Sequence, residues 1–412
     1  MSTSERADLV VIGGGPAGAA TAITAARAGA RVVVLEAGAH GRDKVCGDGL
    51  TPRAVAALDT LGIGLDGAHR ISGLRMIAGR QMRELPWPSG SRFPAHGAVW
   101  PRRRLDAALI DAAVSSGADV RFESTAEPVL DAGRVTGVEV ESSSGRSRID
   151  ADMVVVAAGA PGKVARMLGA DRVTDEPFGL AIRAYAETPR HAEDMLEACL
   201  TLRDASGTPV PGYGWMFPCG DGTVNIGVGA LSTMKGFRKL NLNTLLESYR
   251  SLVGDAWDLG PNLERPRAWR LPMSVVRRHG PGWVAVGDAA GLVNPMNGEG
   301  IDYGLESGIL AAESFLRSPV TAPAAYDRAV GERFDSFLRT GRRFAFVIGH
   351  PWLLRSGLRV AVGTQAIAGI TLQVMGNLVD AETPGASGRV LRIADRGLGL
   401  ADPLLRRTRA RA

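Results

Sequence analysis

The sequence predicts an α/β protein: a Rossmann-like nucleotide-binding domain interrupted by a sheet-rich lobe and followed by helices. Three observations support this. An apolar run at 8–12 leads through Gly13-Gly14-Gly15-Pro16-Ala17-Gly18 into an Ala-rich segment, the strand, tight turn and helix of a βαβ unit. From about residue 175 to 275 the texture changes to longer alternating strands, Pro-Gly turns and aromatics. From Trp283 an apolar strand resumes and ends in Gly287-Asp288, before a Gly-rich turn that opens a helix near Ile301. The expected organisation is a discontinuous nucleotide domain (1–174 and 276–330), the lobe (175–275), a helical region (331–385) and a basic tail (386–412).

The elements follow in order. Strands are expected at 8–12 and 31–35, flanking a helix over 16–28 with Pro16 in its first turn. A helix is expected over 102–116. Strands follow at 119–122, 135–141, 146–150 and 153–157, the middle pair joined through a Ser-Gly turn. From Tyr326 onward the chain reads as helical.

At 412 residues and 45% hydrophobic, the chain can bury a large core. A formal charge of +5, with no aromatic-interleaved basic patch, argues against nucleic acid as a partner. The C-terminal arginines, Arg389 to Arg411, suit either a solvated end or an anionic membrane surface. Cys46, Cys199 and Cys219 form no CxxC pair, and no histidine spacing suggests a metal. A reducing cytoplasmic setting is expected, with no signal peptide. The uncharged run 360–379 is long enough to span a bilayer, but its Gly, Thr, Gln and Asn favour a buried or membrane-resting helix.

Gly13, Gly15 and Gly18 form G-x-G-x-x-G, which brings helix amides to a pyrophosphate. Glu36, at the end of the second strand, is placed to accept from a ribose hydroxyl. Asp288 is placed to accept from ribityl hydroxyls, or to cap the turn that follows. Gly298, Gly300 and Ile301 are expected to present amides to the N1–O2 side of a flavin. A cofactor held from both ends of the chain points to FAD rather than NAD. Arg102 either reaches the cofactor or pairs within its own helix. With one GxGxxG, the reductant is expected to be transient: NAD(P)H or a protein electron donor.

Lys44-Val45-Cys46-Gly47, Tyr213-Gly214-Trp215-Met216-Phe217-Pro218 with Gly227-Val228-Gly229, and Asn294 to Ile301 resemble the geranylgeranyl reductase family. Its marks are K-x-C-G and Y-x-W-x-F-P followed by G-x-G. The wider text, including Val374-Met375 and Asn377-Leu378-Val379, is similar to the actinobacterial menaquinone reductases within it. The resemblance implies a p-hydroxybenzoate-hydroxylase-like fold and saturation of one isoprene unit of a polyprenyl quinone. It also implies FAD contacts at Gly13, Gly14, Gly15, Pro16, Ala17, Lys44, Val45, Cys46, Gly47, Arg102, Asp288, Gly300 and Ile301, and near Ala126. The loop Ala158-Gly159-Ala160-Pro161-Gly162 departs from the Asp-Gly of many relatives, which removes support for a pyrophosphate role there.

Such a reduction needs a hydride, a proton and a dry apolar tunnel. Tyr213, Trp215 and Phe217 alternate along one strand, so they share a face as a substrate wall or as ordinary core. Cys46 has three open roles: proton donor, flavin-adjacent packing, or a small residue required by the turn. Its place in a Gly-rich loop between Lys44 and Asp48 would let a neighbouring cation lower its thiol pKa. The alternatives are a geranylgeranyl-type lipid or diphosphate as substrate, or aromatic hydroxylation or halogenation on the same fold. The helices expected beyond residue 340 predict peripheral membrane contact.

Overall fold

The computed structural model describes residues 5–160, 162–204, 206–234, 236–349, 357, 362–379 and 393. The basic tail lies outside the described residues, Ile393 apart, as do the first two residues of the run expected over 360–379.

An eight-stranded sheet forms the nucleotide side. At its centre Glu5–Ile12 lies parallel to Val32–Leu35 on one side and to Gly145–Val156 on the other, with Val10 opposite both Val33 and Val154. Asp119–Arg121 and Trp283–Ala285 extend it in parallel at either side. Where they lie side by side, at 9–12, 32–35 and 153–156, these strands are continuous apolar runs because both faces are covered.

The strands expected at 146–150 and 153–157 are one element, Gly145–Val156. Nothing breaks the chain between them. The strand changes partners instead, pairing with Arg134–Ser142 in its first half and with Glu5–Ile12 in its second. Thr125–Asp131, not expected as a strand, pairs outside Arg134–Ser142, and its Pro128 is tolerated at that edge.

The helix Pro16–Arg27 crosses Ile301–Arg317 at close range. A Cβ on Gly308 would lie 2.3 Å from the Ala17 carbonyl oxygen. Thr21 Oγ1 also donates to the Gly308 carbonyl at 3.1 Å. The return of the chain after the lobe is thereby fastened to its N-terminal helix.

The second sheet has seven strands, ordered Arg267–Pro272, Phe178–Glu187, Thr223–Leu231, Gly212–Pro218, Met195–Cys199, Gly73–Ala78 and Gln81–Pro86. Its last two strands come from well before residue 175. Gly73–Ala78 enters by pairing in parallel with Met195–Cys199, a long-range choice that no local pattern announces. The helix Leu242–Trp257 covers one face, burying Leu245, Leu246, Tyr249 and Trp257. The other face looks across to the nucleotide domain.

C-terminal helices Ala322–Val330, Ser336–Ile348 and Gln365–Met375 complete the described structure. Among the described residues no helix is long and apolar enough to cross a membrane.

Candidate functional site: a cavity between the two sheets

The glycine turn has the geometry its spacing requires. Gly13 takes φ +107°, where a Cβ would lie 2.5 Å from the Ala157 oxygen. A Cβ on Gly18 would lie 1.9 Å from the Gly13 oxygen, so strand and helix can approach only through glycine. At Gly15 the space is open, with Arg102 Nη2 the nearest atom at 3.9 Å.

That opening belongs to a cavity of about 930 Å³. Gly15, Pro16, Ala17, Lys44, Val45, Cys46, Gly47, Arg102, Asp288, Gly300 and Ile301 line one end. Gly14 faces away, its amide donating to Glu36 Oε2 at 2.7 Å. Glu36 lies outside the lining and also binds the Gly38 amide and Arg42, at 2.8 and 2.6 Å. Burial opposes its charge, yet Arg42 and these amides hold its carboxyl below the ordinary value. Ala126 is buried in the outer strand pair opposite Val140, away from the cavity.

Val286, not Asp288, holds the N-cap position of the short turn Gly287–Ala290, and Asp288 lies inside it. Its carboxylate faces Lys44 Nζ at 3.9 Å. Burial pushes the Lys44 ammonium below its ordinary pKa, partly offset by Asp288. The Gly298 amide is committed to the Asn294 carbonyl at 2.9 Å, contrary to the expectation that it faces the cofactor. Gly300 and Ile301 keep their place on the cavity wall at the helix start.

Arg102, buried and lining the cavity, forms a bidentate pair within its own helix with Asp106 at 2.7 and 2.8 Å. It also lies beside Cys46. Burial nevertheless pushes the Cys46 thiol up, outweighing that guanidinium, the reverse of the lowering that a neighbouring cation alone would bring. The Asp48 amide donates to Cys46 Sγ at 3.3 Å.

Tyr213, Trp215 and Phe217 all line the cavity, and successive rings lie 5.8 and 6.2 Å apart. The two motifs that flank them interlock. A Cβ on Gly227 would lie 2.1 Å from the Trp215 ring, and one on Gly49 3.0 Å from Phe217. The Y-x-W-x-F-P strand therefore needs glycines in its neighbours to seat its aromatics. Tyr213 donates to the Asn297 carbonyl at 2.5 Å, linking the wall to the turn before Ile301.

Sequence reasoning missed the hub beneath this wall. Asp48, fully buried at φ +64°, accepts from the Arg102 amide at 3.1 Å, from Asn225 Nδ2 at 2.8 Å and from the Tyr185 hydroxyl. Asn225 also donates to the Cys46 carbonyl at 2.8 Å and accepts from Trp215 Nε1 at 2.9 Å. Burial pushes the Asp48 carboxyl up to about 6, against the hydrogen bonds it accepts. The available signal was Asn225 itself, a carboxamide inside the largely apolar strand Thr223–Leu231, on the face shared with Gly227 and Gly229.

Beyond the aromatic wall the cavity continues past Leu271, Met273 and Val293 to Phe344, Ile367 and Val374. Phe344 and Ile367 are 41% and 37% exposed, which marks where it meets the surface. Trp269 lines it beside Lys44, and its indole nitrogen is buried without a hydrogen-bond partner among the described residues. An open glycine cradle, a helix start, a lysine–carboxylate pair and an unpaired donor fit a flavin nucleotide at this end.

Comparison with known proteins agrees with this geometry. The model of an FAD binding domain family matches residues 6–315. The menaquinone reductase of Mycolicibacterium smegmatis is 41% identical over 94% of this chain and 96% of that protein. A digeranylgeranylglycerophospholipid reductase of Methanopyrus kandleri is 33% identical over 74% of this chain and 79% of that protein. Among solved structures, a geranylgeranyl bacteriochlorophyll reductase-like protein from Thermoplasma acidophilum superposes with TM-score 0.79 at 22% identity, covering 95% of this chain and all of that one. A flavin-dependent brominase reaches TM-score 0.73 at 17% identity, over 95% and 98% of the two chains, a likeness of fold alone. The chain belongs to the FAD-binding flavoproteins, in the geranylgeranyl reductase family that includes the menaquinone reductases.

Proposed function

We propose that this protein saturates one carbon–carbon double bond of a polyprenyl chain, with the isoprenoid tail of menaquinone as the substrate. The observation that supports this most is the continuity of the cavity. One end has the glycine cradle and the Lys44–Asp288 pair; the other is an apolar passage through Leu271, Val293, Ile370 and Val374. An isoprenoid chain gains about 0.8 kcal/mol for each methylene it buries in such a passage. The identity to menaquinone reductases, extending over nearly the whole chain, supports the quinone-borne tail over a glycerophospholipid.

Gly15, Lys44, Arg102, Asp288, Gly300 and Ile301 would hold FAD, which when bound supplies the hydride. This chain's residues do the rest. Tyr213, Trp215 and Phe217 hold the alkene against the Cys46 loop and keep water away from it. The Cys46 thiol, kept protonated by burial, gives its proton to the second alkene carbon, and the adjacent Arg102 steadies the resulting thiolate. The reductant, NAD(P)H or a protein donor, docks transiently. The exposed Phe344 and Ile367 rest the cavity mouth on the inner face of the cell membrane, where a polyprenyl tail resides.

The test is expression in a host that makes fully unsaturated menaquinone, with mass spectrometry of its quinones. A gain of two hydrogens per quinone is expected. FAD-loaded protein that reduces digeranylgeranyl phospholipid but no quinone would move the assignment to the lipid. If it hydroxylates or halogenates an aromatic and reduces neither, the proposal fails.

A further inference from the structure

A second cavity, of about 780 Å³, lies behind the FAD-side wall and differs in character. It is enclosed by the segment 274–282, the turn 290–292, the start of Ala322–Val330, and Ser336–Ile348. Arg134, Arg277, Arg278, Arg339 and Arg342 line it, against Asp327 and Asp335. Both aspartates are engaged by one of these cations. Arg278 meets Asp327 at 3.0 Å and Asp335 at 2.6 and 3.0 Å. His279 approaches Asp327 at 3.6 Å. Arg134 donates to the Asp152 carbonyl at 3.0 Å, and Arg342 to the Met273 carbonyl at 3.2 Å while facing Glu176 at 3.5 Å. Arg277 and Arg339 stand exposed at the rim. Positive charge therefore exceeds negative around the space.

The floor gives a second, independent observation. Ser274 is 8% exposed and lines the cavity, and its hydroxyl has no hydrogen-bond partner among the described residues. A buried, unpaired hydroxyl in a cavity lined by guanidinium groups is the donor set that recognises phosphate oxygens. Burial and the nearby Arg339 and Arg278 also push the Arg342 guanidinium down, a tendency an anion would relieve.

We propose that this cavity binds a phosphate-bearing anion, held by Arg277, Arg339 and Arg342 with the Ser274 hydroxyl at its base. The site is separate from the reductase cavity, so the proposal stands whether or not the quinone reading does. The phosphate belongs either to a free phosphate or diphosphate compound or to an anionic phospholipid headgroup.

The full-length, FAD-loaded protein is titrated with inorganic diphosphate in a calorimeter, and separately sedimented with phosphatidylglycerol or phosphatidylcholine vesicles. Saturable binding is expected, weakened about tenfold or more in Arg277→Ala/Arg339→Ala. Both side chains are exposed, and unchanged flavin content and melting temperature verify the fold. Ser274→Ala, which removes only a hydroxyl, should weaken binding about fivefold. A headgroup site is indicated if phosphatidylglycerol vesicles, but not phosphatidylcholine, bind the protein and displace diphosphate. A free-phosphate site is indicated if diphosphate binds and vesicles do not displace it. Undiminished binding in both variants, or no saturable binding of either probe, overturns the proposal.

Discussion

A partly buried thiol beside a guanidinium feels two opposed influences, and at Cys46 the loss of solvent prevails. If its proton completes the proposed reduction, Cys46→Ala should slow quinone reduction about a hundredfold or more. The flavin spectrum and FAD content should stay unchanged, because the sulfur provides none of the cradle at Gly15. Normal turnover in that variant would assign Cys46 to packing. Asp48 gives a separate prediction in pH. Folded, it keeps its proton up to about 6, against an ordinary value of 3.8. The folded chain thus binds more protons than the unfolded chain between those values. Its stabilising contribution is complete below the lower one and is lost as pH rises through the higher. Asp48→Asn should therefore lose less stability than the unaltered chain between about pH 4 and pH 6, by on the order of 2 kcal/mol. Urea midpoints across that range would measure it, and a steeper fall in the variant would refute it. Cys46 was legible in the sequence as a residue of interest, but its protonation was not. Burial depends on strands such as Gly212–Pro218, which lie far along the chain.

Between elements, close approach is arranged through missing side chains. Gly18→Ala would place a methyl group 1.9 Å from the Gly13 oxygen, so the purified variant should lack FAD or fail to fold. Absorbance at flavin wavelengths reports which. Gly227→Ala would put its methyl group 2.1 Å from the Trp215 ring. Overpacking of this kind costs about 1–3 kcal/mol, visible as a lower melting temperature with altered tryptophan fluorescence. A melt and spectrum identical to the parent would count against the interlock. The first βαβ unit was readable because its strands are apolar runs bounded by turn residues, with partners close in sequence. The hairpin Gly73–Ala78 and Gln81–Pro86 was not, since its sheet is chosen by Met195–Cys199. Nor was the continuity of Gly145–Val156, where the chain exchanges one partner for another without a turn.

Across the whole molecule, the C-terminal segment is fastened to the FAD domain by a buried polar cluster. Arg53 pairs with Glu306 at 2.6 and 3.1 Å and packs against the rings of Tyr303 and Phe334. Asn377, buried at φ +58°, accepts from the Tyr303 hydroxyl at 2.8 Å and donates to Asp302. Arg53→Met would strand Glu306 with Arg333 as its remaining cation, which is half-exposed. The expected loss is on the order of 3 kcal/mol. Limited proteolysis should then cut within the helix Gln365–Met375 faster than in the parent; equal cutting rates would show that the cluster does not hold the segment. The resemblance singled out Asn377 as part of a string of residues, and the structure supplies its work. Pairing across such distance leaves no periodic trace, which is why the cavity's far wall could not be drawn from the sequence.

The Asn225 amide touches the Cys46 loop with its nitrogen and the Trp215 ring with its oxygen. If the aromatic wall selects the chain and the Cys46 thiol supplies the proton, as proposed, specificity and rate are mechanically geared through this one amide. An engineer who reshapes the aromatic wall to admit a bulkier or shorter lipid also moves the thiol, and variants selected for a new chain should need a compensating change at Asn225 or Asp48 to recover their speed.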